Sequence, residues 1–263
     1  MRFSSFLIAS LSALSLAYSN PSPLLNLDSA VRAPQEDYRS KISRLAQASP
    51  SGIFEFGLSG TSPVNAAVEL SRLDTSVVQR WPGNADIREV FSNIRDERFM
   101  TDSSGFKRRP TWLYPDDGCY ARAELMSLRL KEKGLPQGNK IFVFGNLNVN
   151  TANSPSGYVN WWYHVAVAYR IQDTIYVFDP AIEPREPLPM QVWFSKMGNA
   201  ADFRIAFCSA NAFTPRSACN ERSGMDLSAA MYQQGMFFGD EWQRLLSLNR
   251  NPSSELGDAP PWR

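Results

Sequence analysis

At 263 residues, with 43% hydrophobic residues and 27 basic against 26 acidic side chains, the chain is long enough for one well-packed domain plus an accessory segment. A net charge of +1 with no basic stripe excludes the clustered Lys and Arg that phosphate binding needs, so nucleic acid is not an expected partner. A single histidine, His164, leaves one candidate for any imidazole-based chemistry.

Arg2, an apolar run from Phe6 to Leu16 and small residues at Ala17 and Ser19 predict a secretory signal peptide over residues 1–19; a buried N-terminal helix is the alternative. No later segment has the apolar length of a membrane span, so a secreted or periplasmic protein that engages no membrane is expected. Pro21, Pro23, Pro34 and Pro50, set among Ser, Ala and charged residues, mark a stretch with no core of its own. Ser51 to Ser59 alternates well enough for a short strand, and residues 66–79 predict a turn or two of helix before Trp81-Pro82.

Ile87, Val90, Phe91 and Ile94 recur at helical spacing with Asp86, Arg88, Glu89, Arg95 and Asp96 opposite, which predicts an amphipathic helix capped by Asn84 or Asp86. A loop bearing Gly105, Pro110 and Pro115 follows, in which Lys107-Arg108-Arg109 reads as solvated. A second helix should start at Cys119 and stop at Gly134, with Pro136 beyond. Strands are expected at 140–149, 158–170 and 174–178. The chain then turns Pro-rich, passes Val192-Trp193-Phe194 and enters a loop-like stretch containing Cys208 and Cys219. In an oxidising compartment these two could pair as a disulfide, or all three cysteines could stay unpaired structural thiols. Residues 227–248 read as mostly helical, with Trp242, Leu245 and Leu246 as core anchors, and 251–263 as a disordered tail.

Cys119 follows Gly118 at a helix start, where free backbone N–H groups and the helix dipole favour a thiolate. His164 and Asp179 lie on the two arms of a predicted hairpin. A two-residue connection at Ile171-Gln172 sets them directly opposite each other, and one at Gln172-Asp173 leaves them diagonal on one face; a three-residue loop would place them on opposite faces. A carboxylate beside the imidazole fixes its tautomer and stabilises the imidazolium, which completes a Cys-His-Asp triad. Each residue also has an ordinary reading: a buried cysteine, a core histidine, a turn aspartate before Pro180.

The blocks Tyr114-Pro115-Asp116-Asp117-Gly118-Cys119-Tyr120-Ala121-Arg122-Ala123, Phe142 to Leu147, Trp161-Trp162-Tyr163-His164-Val165-Ala166 and Asp179-Pro180 resemble the secreted bacterial protein-glutaminase (protein-glutamine deamidase) family over residues 84–210. The resemblance implies an α+β fold with a transglutaminase/papain-like core, the nucleophile on a helix start and His and Asp on an antiparallel sheet. It implies catalytic roles for Cys119, His164 and Asp179, no cofactor and no metal, and secretion as a proenzyme. The expected organisation is a signal peptide (1–19), a pro-segment covering the cleft (20–80), a catalytic domain (81–250) and the tail. The chain departs from the family in having fewer cysteines and in its C-terminal third.

The expected reaction is attack of Cys119 on a glutamine carboxamide in a protein or peptide, release of ammonia, and hydrolysis of the thioester with His164 as acid and base. The N–H of Cys119 is the natural first oxyanion donor; Tyr120, Trp161, Trp162 and Tyr163 are candidates for a second donor, for cleft walls or for core packing. The expected partners are that substrate and the chain's own pro-segment, with the enzyme acting as a monomer. The competing readings are a transglutaminase, a papain-like protease, an effector that modifies one host protein, and a binding protein with a vestigial triad.

Overall fold

The structure, a computed structural model, describes residues 60–101, 105–220, 227–235 and 237–257. The predicted signal peptide and the strand expected at 51–59 lie outside the described residues. Of the turn or two of helix expected within 66–79, one 3-10 turn forms (Leu70–Arg72), preceded by helix α1 (Pro63–Ala66) and strand β1 (Val68–Glu69). A helix there would remove Val68 and Glu69 from an edge strand, and pairing outweighs local propensity.

Helix α2 (Ile87–Asp96) forms where the spacing predicts, and Asp86 caps it by accepting from the N–H groups of Arg88 (2.8 Å) and Glu89 (2.9 Å). Phe91 and Ile94 are fully buried, each worth about 1.5–3 kcal/mol of apolar burial. Strands β2 (Met100–Thr101) and β3 (Lys107–Arg108) pair antiparallel, so the expected solvated basic loop is part of a hairpin. Arg108 is 0% exposed, with its guanidinium 5.8 Å from the ring centres of Phe238 and Trp242. A flat, weakly hydrated cation can stack on aromatic faces in a way that charge counting does not anticipate.

Helix α3 (Cys119–Glu132) is followed by Gly134 at φ 76°, the expected stop. Next come strands β4 (Asn139–Asn150), β5 (Tyr158–Ile171), β6 (Thr174–Phe178) and β7 (Leu188–Pro189), then helix α4 (Met190–Ser195). Strand β8 (Arg204–Cys208) occupies part of the stretch expected to be loop, and helices α5 (Leu227–Gly235), α6 (Phe238–Ser247) and α7 (Pro252–Leu256) complete the described chain. The main sheet is wholly antiparallel in the order β1-β8-β4-β5-β6-β7, giving the expected α+β architecture.

Both faces of this sheet are covered. Phe142, Val165 and Val167 pack with Leu125, Met126 and Leu130 of α3, whereas Ile141, Val143, Ala166 and Ala168 pack with Trp193, Phe194 and Val78. That is why β4 over 140–144 and β5 over 163–169 are buried without alternation. Inside the first layer Lys140 of β4 is paired with Glu124 of α3, and both side chains are withdrawn from solvent.

Cys208 and Cys219 are joined as a disulfide, and Cys119 is free. Trp242 and Leu245 are buried as expected, but Leu246 is 49% exposed because it falls on the outer side of α6. The C-terminal region departs from the expected disorder: α7 forms, with Leu256 buried against Trp242 and Leu245, while 258–263 lie outside the described residues. Of the segment assigned to 20–80, residues 20–59 lie outside the described residues. The described remainder is built into the domain: β1 pairs with β8, Ala67 and Val78 are buried, and Trp81 N–H donates to Arg170 O.

Candidate active site

Cys119 is the first residue of α3, and Gly118 before it adopts φ 82°, ψ 10°. A Cβ at Gly118 would lie 2.7 Å from Gln234 Nε2 and 2.9 Å from Phe237 Cε2, so only glycine suits both the backbone and the space. The loop before it is stitched down by Gly118 N–H to Asp117 Oδ1 (2.6 Å) and Arg122 Nη1 to Asp117 O (2.6 Å). Trp161 Nε1 ties the same loop to β5 by donating to Pro115 O (2.9 Å).

His164 and Asp179 meet through the hairpin. Val167 pairs with Phe178 and Ile171 with Thr174, which places the turn at Gln172-Asp173 and the two side chains diagonally on one face. Their contact, His164 Nε2 to Asp179 Oδ2, is 2.7 Å. Asp179 also accepts from Trp193 Nε1 (2.8 Å, Oδ2) and from Ala181 N–H (3.1 Å, Oδ1). Those two donors keep the carboxylate an acceptor, so the neutral imidazole carries its hydrogen on Nε2 and leaves Nδ1 as the ring nitrogen available to Cys119, which lines a cavity with His164.

β6 ends at Phe178, so on that side Val165 and Ala166 of β5 have no strand partner, and Cys119 borders a small cavity there with Phe178, Asp179 and Pro180. A second cavity is lined by Asp116, Asp117, Cys119, Arg122, Trp161, Tyr163 and His164. The site is closely packed, with Cys119 9% and His164 1% exposed.

Burial by itself would lower the affinity of His164 for a proton, but the Asp179 charge and hydrogen bond, helped by Cys119, outweigh it and raise the pKa to about 9. Burial likewise opposes charge on Asp179, yet His164, Trp193 and Arg122 hold its carboxyl below the ordinary value of 3.8. For stability, the His164 contribution is complete below pH 6.5 and is lost as pH rises through about 9. That of Asp179 is present above 3.8 and is lost as pH falls through its depressed pKa.

The four aromatic candidates separate. Trp161 stacks on the imidazole (centroids 4.5 Å, 12° between planes) and Tyr163 lines the second cavity, so both are walls. The indole N–H of Trp161 is committed to Pro115 O, which leaves it no oxyanion role. Tyr120 is turned edge-on to Phe213 at 5.2 Å, and Trp162 packs on Phe144 and Tyr163; neither lines a cavity beside Cys119. Trp193, Arg122 and Gln234 were not assigned roles from sequence. Trp193 acts from a helix beyond a Pro-rich loop, and no local pattern signals it. Among the described residues no group of three or more His, Cys, Asp or Glu is placed to hold a metal, and no helix is long and apolar enough to cross a membrane.

Residues 87–197 match a family model described as glutaminase. Cys119, His164 and Asp179 all fall inside the matched stretch. Among solved structures, a crystal structure of protein-glutaminase is similar at 25% identity and TM-score 0.40, covering 52% of this chain and 78% of that one. The NMR structure of protein-glutaminase from Chryseobacterium proteolyticum is similar at 24% identity and TM-score 0.43, covering 58% and 84%. A crystal structure of pro-protein-glutaminase is similar at 23% identity and TM-score 0.43; the chain spans 56% of its length, from 57% of its own. No curated protein sequence matches the chain.

Proposed function

We propose that the protein deamidates glutamine side chains in proteins or peptides, giving glutamate and ammonia through a thioester on Cys119. The carrying observation is the ordered trio of thiol, imidazole and carboxylate, with the 2.7 Å His164–Asp179 contact at its centre, inside a domain matching the glutaminase family. The Cys119 sulfur attacks the carboxamide carbon, and the oxygen charge that develops is met by the Cys119 N–H, which as the first helical residue has no intrahelical acceptor. The C–N bond breaks as imidazolium Nδ1 gives its proton to the departing nitrogen, and ammonia leaves. Water then attacks the thioester, Nδ1 takes its proton, and glutamate and the thiolate are restored.

Transglutamination is the second reading, because the same Cys119 thioester could be resolved by an amine in place of water. Ammonia release from folded proteins, glutaminyl peptides and free glutamine, with and without lysine, separates the two. Deamidation leaves the substrate intact with an NH2-to-OH mass change, whereas lysine adducts or a cut main chain would overturn the assignment.

The proenzyme reading extends this. Residues 1–19 would direct export, which the Cys208–Cys219 disulfide supports, and a removable segment would end before Gly60, since β1 and Val78 belong to the domain. Limited proteolysis upstream of Gly60 should raise the rate in the same assay; equal rates before and after would refute latency.

The alkaline fall in rate should lie near pH 9, where His164 loses the proton it must donate. Asp179→Asn removes the charge that raises this pKa, so the fall should move to lower pH, with a lower maximal rate. A pH–rate profile whose alkaline limb is the same in the variant would show that Asp179 does not hold that proton.

A further inference from the structure

We propose that Gln234, on α5 and outside the stretch matching the glutaminase family, is a positioning residue that aims the oxyanion-stabilising N–H of Cys119; the proposal rests on the deamidase reading above. Gln234 is fully buried. Its Oε1 accepts from Thr111 N–H (3.1 Å) and Thr111 Oγ1 (2.7 Å), and its Nε2 donates to Gly118 O (3.4 Å). The orientation of the amide is not ambiguous, because a backbone N–H can only donate and a backbone carbonyl can only accept. No charged side chain could satisfy both partners at once.

Gly118 O and the Cys119 N–H belong to one planar trans peptide, so fixing the carbonyl direction fixes the direction of the N–H on its other side. The carbonyl is held by two donors, Arg122 N–H from within the helix (3.0 Å) and Gln234 from outside it. Phe237 closes the remaining side: its ring stacks on Tyr114 (5.1 Å) and occupies the space a Cβ of residue 118 would need. The C-terminal helices therefore clamp the peptide on which the transition-state charge would rest, and a small rotation of that peptide costs rate without loss of substrate affinity.

The test compares wild type with Gln234→Met, which keeps length but has no amide, and Gln234→Glu. Three quantities are read: kcat and KM for ammonia release from a glutaminyl peptide, and the rate of Cys119 alkylation by iodoacetamide, a displacement that creates no oxyanion. Gln234→Met should lower kcat by roughly 10- to 100-fold, with KM and the alkylation rate within about twofold of wild type. In Gln234→Glu, kcat relative to wild type should rise as pH falls, because a protonated carboxyl regains a donor for Gly118 O. A kcat within about twofold of wild type, alkylation that falls in step with kcat, or a Glu-to-Gln ratio that is flat with pH each overturns the proposal. A wild-type enzyme whose Cys119 alkylates but which releases no ammonia overturns the deamidase reading instead, and the role of Gln234 with it.

Discussion

Cys119→Ala should abolish ammonia release, a loss of roughly 10⁴- to 10⁶-fold, because the variant has no group able to form the thioester. Cys208 and Cys219 cannot substitute, since both sulfurs are committed to their disulfide. His164→Ala should be as severe: the chain has no other histidine, and the Asp179 carboxylate already accepts from Trp193 and Ala181 rather than standing ready to shuttle protons. The two losses should not add, because sulfur and imidazole act as one unit; the double variant should be about as slow as either single one. Ammonia release by purified variants checks this. Near-normal turnover by Cys119→Ala would require a different nucleophile and end the mechanism.

Glu124→Ala should be the most damaging substitution for stability away from the chemistry, at about 3–5 kcal/mol. Burial pushes the Lys140 ammonium toward deprotonation, and the Glu124 charge and hydrogen bond are what oppose that. Removing the carboxylate strands a cation between α3 and β4, with the Phe213 ring 5.8 Å away and little else to compensate. The paired change Glu124→Leu with Lys140→Met should restore most of the loss, because isosteric apolar pairs avoid the desolvation cost. Denaturant midpoints for the single and double variants decide it. A single variant as stable as wild type would mean that the interior tolerates an unpaired lysine.

What could be read in the sequence was whatever local spacing determines. Helix α2, helix α3 with its glycine stop, and the three central strands all follow from periodicity and punctuation. The hairpin alternatives differed by one position, and the pairing of Ile171 with Thr174 marks the one adopted. What stayed hidden depends on contacts distant in sequence. Trp161 stacks on His164 three residues away, which strict strand alternation forbids; the register shift between Phe144 and Leu147 on the neighbouring strand breaks that alternation. Arg108 read as a surface charge because the two aromatic rings nearest its guanidinium lie 130 or more positions downstream in α6. Trp193 and Gln234 reach the site from helices whose own sequence carries no sign of it.

Arg122 ties two arms of the site to one side chain. Its guanidinium grips the Asp117 carbonyl on the approach to the sulfur, and its positive field bears on Asp179. A shift of the loop that carries Asp117 would therefore move the guanidinium and, with it, the charge that Asp179 feels.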